Sequence, residues 1–185
     1  GQGPDVYIGL GGADTINYAI RNAVQPINDF EGFDETLKNF TEAAMVPLTL
    51  DGKSYGLPEK MGFPMMFYRR DVLADLGLKI PKTWNDILAA VPILQQNNMS
   101  VGLAREYEMF LYQMGGERYA DNGMRIGFDS NIALEAFEYY CSFYTMYSFP
   151  VSYDAANRFR TGEMPIIIAD YTGTYNQLTV FATEI

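Results

Sequence analysis

Few residues of this 185-residue chain have the type and spacing that chemistry requires. Glu106 and Glu108 are the one close carboxylate pair beside a predicted loop, and paired carboxylates are what glycoside hydrolysis needs. Two positions apart on a helix they point to different faces, which favours a solvated surface over general acid and base. Gly9-Leu10-Gly11-Gly12 lacks the third glycine of a dinucleotide loop and the Gly-Lys-Ser/Thr of a phosphate loop. Tyr139-Tyr140 offers phenolate oxygens for ferric iron, but both lie in the apolar stripe of a predicted helix, where core packing is the better reading. The chain has no His, the commonest zinc ligand and general base, and its single Cys141 has no internal disulfide partner. No catalytic residue, metal or cofactor is expected. Asn39-Phe40-Thr41 and Asn98-Met99-Ser100 fit the glycosylation acceptor pattern, which matters only in a eukaryotic secretory setting.

Composition narrows the class further. Thirteen Lys and Arg against 23 Asp and Glu give a net charge of −10, which disfavours an electrostatic grip on nucleic acid or anionic lipid. An apolar content of 48% is that of a folded chain, and 14 Tyr, 12 Phe and one Trp bring the aromatic share to 15%, suited to interfaces and pockets. No run approaches the ~20 apolar residues of a membrane helix. The chain does not begin with Met, so it reads as a mature form or a segment, with any signal or anchor upstream of Gly1.

The elements that must position any site alternate between strand and helix. Pro4 to Leu10 is a predicted buried strand that breaks at Gly11-Gly12, followed by a helix capped by Asp14 or Thr15 and stopped before Pro26. Asp34 to Met45 reads as one amphipathic helix. Asp51-Gly52 joins a hairpin between 48–50 and 54–57. Phe63 to Tyr68 is a strand, Asp71 to Leu76 a short helix ended by Gly77, and Thr83-Trp84-Asn85-Asp86 a capping box opening a helix to Gln96, bent near Pro92. Val101 to Ala104 is a strand and Glu106 to Met114 a helix. Ser130 caps a long helix with Ile132, Ala133, Ala136, Phe137, Tyr140 and Tyr144 on one face. Ala155 to Phe159 is a helix, Pro165 to Ala169 a strand, Asp170 to Thr174 a loop, and Tyr175 to Phe181 a last helix. The pattern is α/β with a mostly parallel sheet. Ligands of such sheets gather at the carboxyl ends of strands. Four loops therefore come forward: Gly11-Gly12-Ala13-Asp14, Pro58-Glu59-Lys60-Met61-Gly62, Arg105-Glu106-Tyr107 and Asp170-Tyr171-Thr172-Gly173.

Several ordered stretches resemble the extracellular solute-binding proteins of sugar-type ABC importers, the family of the maltose-binding protein. They are Gly3-Pro4-Asp5-Val6-Tyr7, Val24 to Phe30, Tyr55-Gly56-Leu57-Pro58 with Met66 to Leu73, Pro81-Lys82-Thr83-Trp84-Asn85-Asp86-Ile87-Leu88, and Phe159-Arg160-Thr161-Gly162-Glu163-Met164-Pro165-Ile166. The resemblance implies a type II periplasmic-binding-protein-like fold of two α/β lobes, present in part. Residues 1–60 would belong to a first lobe that ends in a crossover near Glu59 to Gly62, and residues 61–185 to a second, with early strands and closing elements of both lobes outside the chain. It implies a ligand cleft met by Gly12, Asp14, Glu59, Lys60, Glu106, Tyr107, Tyr171 and Thr172, with Tyr171 where the family commonly has Trp. The run Asn157 to Pro165 with Ala169-Asp170-Tyr171 looks like a subgroup in which the module belongs to a larger surface protein.

The function implied is non-catalytic capture of a neutral, carbohydrate-like solute, an oligosaccharide above all, for ABC permease subunits outside the cell, at its surface or in the periplasm. Nucleic acid is not an expected partner. A surface interaction or scaffold module with the same fold and no transport role is the alternative, and a hydrolase stands third. Edges left uncovered by absent elements are expected to drive self-association or to loosen residues before Gly56.

Overall fold

The computed structural model describes residues 3–182. They form two compact units that divide between Met61 and Gly62.

The first unit is built on short elements. Residues 4–10 form no strand, and Val6 and Ile8 stand 76% and 80% exposed. A strand needs a neighbour for its N–H and C=O groups, and no described segment pairs with this one. Helix α1 (Gly12–Ile20) starts ahead of the predicted caps, with Gly11 at its N-cap. Thr15 is inside the helix and buried, its Oγ1 donating to the Gly11 carbonyl at 3.0 Å. The single helix expected over 34–45 divides into α2 (Phe33–Leu37) and α3 (Glu42–Met45), followed by a 3-10 turn at Val46–Leu48. Asn39 accounts for the break. Its side-chain amide donates to the Thr36 carbonyl at 3.2 Å, the local bonding by which Asn competes with helix continuation. Strands β1 (Thr49–Leu50) and β2 (Lys53–Ser54) make the expected hairpin, with Asp51 at φ 50° and Gly52 at φ 73°, the positive pair of a type I′ turn. The Ser54 N–H donates to Asn28 Oδ1 at 2.7 Å, and Ser54 is buried with Ala19, Phe33, Met45 and Leu48.

The second unit holds the sheet. Its elements are β3 (Pro64–Tyr68), α4 (Arg70–Asp75), α5 (Trp84–Gln96), β4 (Val101–Leu103), α6 (Tyr107–Gln113), β5 (Tyr119–Ala120), β6 (Arg125–Ile126), α7 (Asn131–Thr145), α8 (Ala155–Thr161), β7 (Ile166–Asp170) and α9 (Tyr171–Phe181). The sheet order is β3-β7-β4, with β4 parallel to β7 and β3 antiparallel to it. Strand β7 is central, and alternation sends its side chains to two cores. Ile166 and Ile168 join Leu73, Leu94, Val101, Leu103, Phe110 and Phe143 under α5, α6 and α7, while Ile167 and Ala169 join Phe159 and Met164 under α8 and α9.

Helices α5 and α7 are capped where the sequence places caps. Thr83 Oγ1 accepts from the Asp86 N–H at 3.2 Å, and the Asp86 carboxylate accepts from the Lys82 and Thr83 N–H groups at 2.9 Å each. Helix α5 runs on through Pro92, which has no N–H for the Leu88 carbonyl. Ser130 Oγ accepts from the Ala133 N–H at 3.2 Å. Of the stripe expected on α7, Ala133 and Ala136 are buried together with Phe143, while Ile132 and Phe137 stay exposed. The loop expected at 170–174 is instead the first turn of α9, which follows β7 directly. Arg69 ties β3 to α8: its Nη1 donates to the carbonyls of Phe159 and Arg160 at 3.3 and 2.9 Å, and its Nε to Asp71 Oδ1 at 2.9 Å.

Two outcomes follow from this packing. Phe143→Ala empties a fully buried site and is expected to lower unfolding free energy by about 3–5 kcal/mol, read from urea titration. The Arg69 guanidinium holds the Asp71 carboxyl down at about 2 in the folded chain, against about 4 when unfolded. That contribution is present at pH above 4 and is lost as pH falls toward 2. In Asp71→Asn, stability measured across this window is expected to decline less steeply.

Candidate functional site

The edge of the second unit's sheet collects side chains because of strand direction. In sheets of this kind ligand loops follow the carboxyl ends of parallel strands. Leu103 of β4 stands in register with Ile168 of β7, and the Ala104 N–H donates to the Ile168 carbonyl at 2.8 Å. Arg105 and Glu106 therefore leave the sheet beside Asp170 and Tyr171. Because β3 is antiparallel, its amino end arrives at the same edge: Pro64 pairs with Asp170, and the Tyr171 N–H donates to the Phe63 carbonyl at 2.9 Å.

Periodicity then lines up the aromatic rings. Phe63, Met65 and Phe67 share one face of the extended chain, and Tyr171 and Tyr175 are one turn apart on α9. The Tyr171 ring lies 5.2 Å from Phe63 at 15°, 6.2 Å from Phe67 at 14° and 5.3 Å from Tyr175 at 23°, all stacked. Phe67 continues edge-on into Phe159 of the core, at 6.4 Å and 71°. The rings thus form a wall that is anchored inside and open outside.

Asp170 fixes the wall's position. Its Oδ2 accepts from the Gly173 N–H at 2.7 Å and caps α9. A Cβ on Gly62 would stand 2.5 Å from Asp170 Oδ1, so a bare backbone at residue 62 leaves room for the capping carboxylate. Thr172 is half-buried in the first turn of α9.

Tyr107 belongs elsewhere. Its hydroxyl donates to the Ala133 carbonyl at 2.7 Å, and its ring meets Phe128, Phe137 and Tyr140 edge-on at 5.7, 5.6 and 6.4 Å. Burial, with the nearby Glu108 charge, pushes its phenol pKa up. It joins α6 to α7 and lines an apolar hollow of ≈ 360 Å³ with Phe128, Leu134 and Phe137. Glu106 is exposed just ahead of α6, whereas Glu108 faces Arg118 at 3.8 Å. The two carboxylates are in different surroundings, as their spacing predicted.

Near Arg105 lies a group of phenols. The Tyr153 ring packs on β4 where a Cβ at Gly102 would stand 3.0 Å from its Cε2. Burial pushes the Tyr153 hydroxyl up to about 12, and the Arg105 charge opposes the rise. Tyr144 is raised by burial and by its bond to the Tyr140 hydroxyl at 3.3 Å. The carboxyl edge thus carries an aromatic wall, the carboxylates of Glu106 and Asp170 and one guanidinium. Such a surface suits a polar ligand with apolar ring faces.

In the first unit Gly12 serves packing. A Cβ there would lie 2.6 Å from both Cβ and O of Pro47, so glycine lets α1 approach the turn at Val46–Leu48. Asp14, Glu59 and Lys60 are exposed. Among the described residues no group of three His, Cys, Asp or Glu could hold a metal ion, and no described helix is long and apolar enough to cross a membrane.

Phe63, Arg105 and Tyr175 are edge residues absent from the eight predicted ones. The signals were present for two of them, Phe63 four positions before Phe67 on a strand and Tyr175 four after Tyr171. Reading 170–174 as a loop hid the second.

A binding protein of Brucella abortus (strain 2308) is 29% identical over 102 residues, 52% of this chain and 25% of its own length. An ABC substrate-binding protein from Listeria monocytogenes, solved in complex with cycloalternan, superposes with a TM-score of 0.74 at 18% identity, over 87% of this chain and 46% of that one. The GacH receptor of Streptomyces glaucescens, solved unliganded and with acarbose, gives 0.75 at 16% identity, over 91% and 46%. The chain spans about half the length of these solved structures, and the likeness to them is one of fold. The sequence pattern of the bacterial extracellular solute-binding proteins matches residues 1–182, nearly the whole chain and both of its units, and the chain belongs to that family.

Proposed function

We propose that this chain forms part of the solute-capturing body of an ABC importer and binds a neutral carbohydrate, an oligosaccharide above all, without chemical turnover. The observation that carries the reading is the stacked wall of Phe63, Phe67, Tyr171 and Tyr175 at the carboxyl edge of the sheet. Sugar rings present flat C–H faces that pack on aromatic faces, and the exposed Glu106 carboxylate at the same sheet edge can accept hydrogen bonds from sugar hydroxyls. A net charge of −10 suits an uncharged solute better than an anion.

The two units are read as portions of two lobes, with the crossover near Glu59 to Gly62 and Asp14, Glu59 and Lys60 as the first lobe's contribution. ABC permease subunits would receive the solute outside the cell. The absence of His and the separate surroundings of Glu106 and Glu108 support binding without hydrolysis.

Tyr171→Ala is expected to weaken oligosaccharide binding by about 1–3 kcal/mol with the fold intact, measured by titration calorimetry and urea unfolding. Equal affinity in mutant and wild type would reject the aromatic wall as the site. Incubation with bound oligosaccharide is expected to release no reducing sugar. Release that disappears in Glu106→Gln would establish a hydrolase instead.

A further inference from the structure

The central ring of the wall is poorly placed to meet a ligand. Tyr171 has three near-parallel neighbours, Phe63, Phe67 and Tyr175, within 5.2 to 6.2 Å. Among the described residues no ring contact joins those three to one another, so they cover different parts of Tyr171. Three protein rings crowd Tyr171, and the residue is half-buried, whereas Tyr175 is exposed.

Tyr175 has the opposite character. It is 47% exposed, and its ring stacks on Tyr171 at 5.3 Å and 23°. Among the described residues its hydroxyl has no hydrogen-bond partner, and it is free to donate to or accept from a solute hydroxyl. Its support is rigid. Tyr175 sits one turn above Tyr171 on α9, whose start is fixed by the Asp170 cap and by the Tyr171 N–H bond to Phe63. A ring already held by stacking loses little freedom when a ligand arrives, and such preorganisation favours affinity. Phe63 is 43% exposed but carries no polar group.

We infer that Tyr175 is the ligand-facing ring of this site, packing its outer face on a pyranose ring and hydrogen-bonding a sugar hydroxyl, while Tyr171 is a positioning residue that acts through it. The inference rests on the carbohydrate reading above and divides the roles within it.

The test uses this chain with maltotriose and cellotriose as probes, titrated by calorimetry. Trp84 provides a folding control. Its Nε1 donates to Gln113 Oε1 at 2.7 Å and its ring packs on Phe110 and Phe143 in the other core, so its emission reports the fold and not the site. Tyr175→Ala is expected to raise the Kd at least about tenfold, and Tyr175→Phe about threefold through the lost hydroxyl. Tyr171→Phe, which keeps the stack, is expected to bind within about twofold of wild type. Adding Tyr171→Ala to Tyr175→Ala is expected to weaken binding no further, the signature of a residue acting through its neighbour. Unchanged affinity in Tyr175→Ala, or losses that add in the double variant, would overturn this division while the carbohydrate reading stands. No saturable binding of either trisaccharide by the wild-type chain would overturn both together.

Discussion

The second unit depends on strand β7 being buried on both faces. A strand with no solvent side must pair both backbone edges and bury both rows of side chains, since an unpaired buried amide or carbonyl costs as much as a lost hydrogen bond. Residues 166–169 are all buried, and they pair with β3 on one edge and β4 on the other. Two cores become necessary on opposite faces. The long helices α5 and α7 supply one, and the shorter pair α8 and α9 the other. The mixed sheet matters for the site as well. Parallel β4 brings a loop to the carboxyl edge, and antiparallel β3 brings an amino end to the same place.

Aromatic richness turns out to serve two purposes that composition alone does not separate. Trp84, Phe110, Tyr139, Phe143 and Phe149 form a continuous edge-to-face and tilted network in the larger core, with centroid separations from 4.7 to 5.8 Å. Such packing fills volume and fixes α5, α6 and α7 against one another. The four rings at the carboxyl edge are arranged differently, as parallel stacks in which only Phe67 reaches the core. Stacked rings leave flat outer faces, whereas an edge-to-face network uses every face internally. Geometry therefore separates rings that hold the fold from rings that can hold a solute.

What the sequence made legible follows the range of the forces involved. The Thr83 capping box, the Asp51-Gly52 hairpin and the Ser130 cap are local, and they appear in the structure as read because their bonds join residues at most seven positions apart. The 4–10 segment was misread because an apolar run specifies a strand only if a partner exists, and partnership is not a local property. Asn39 was missed as a break because its competing bond to Thr36 is weaker evidence than a Gly or Pro. At the site, Tyr171 and Glu106 could be placed at the edge by chain order alone. Tyr107 could not be separated from them, since only tertiary packing turns its hydroxyl to Ala133. The closeness of Gly12 to Pro47 is likewise a tertiary fact that the sequence does not display.

Asp170 shows how closely fold and site are joined in this unit. One residue ends β7, caps α9 and sets the point from which Tyr171 and Tyr175 project. Its carboxylate fits because residue 62 has no side chain, and residue 62 in turn leads into Phe63, which stacks on Tyr171. A change at Asp170 or Gly62 would therefore move the whole wall and loosen the helix with it. A change at the exposed rim, at Tyr175 or Glu106, leaves this frame in place. The architecture thus divides into a frame that must stay fixed and a rim whose chemistry can be altered without disturbing the sheet, so on the proposed reading it is the rim that would set ligand identity.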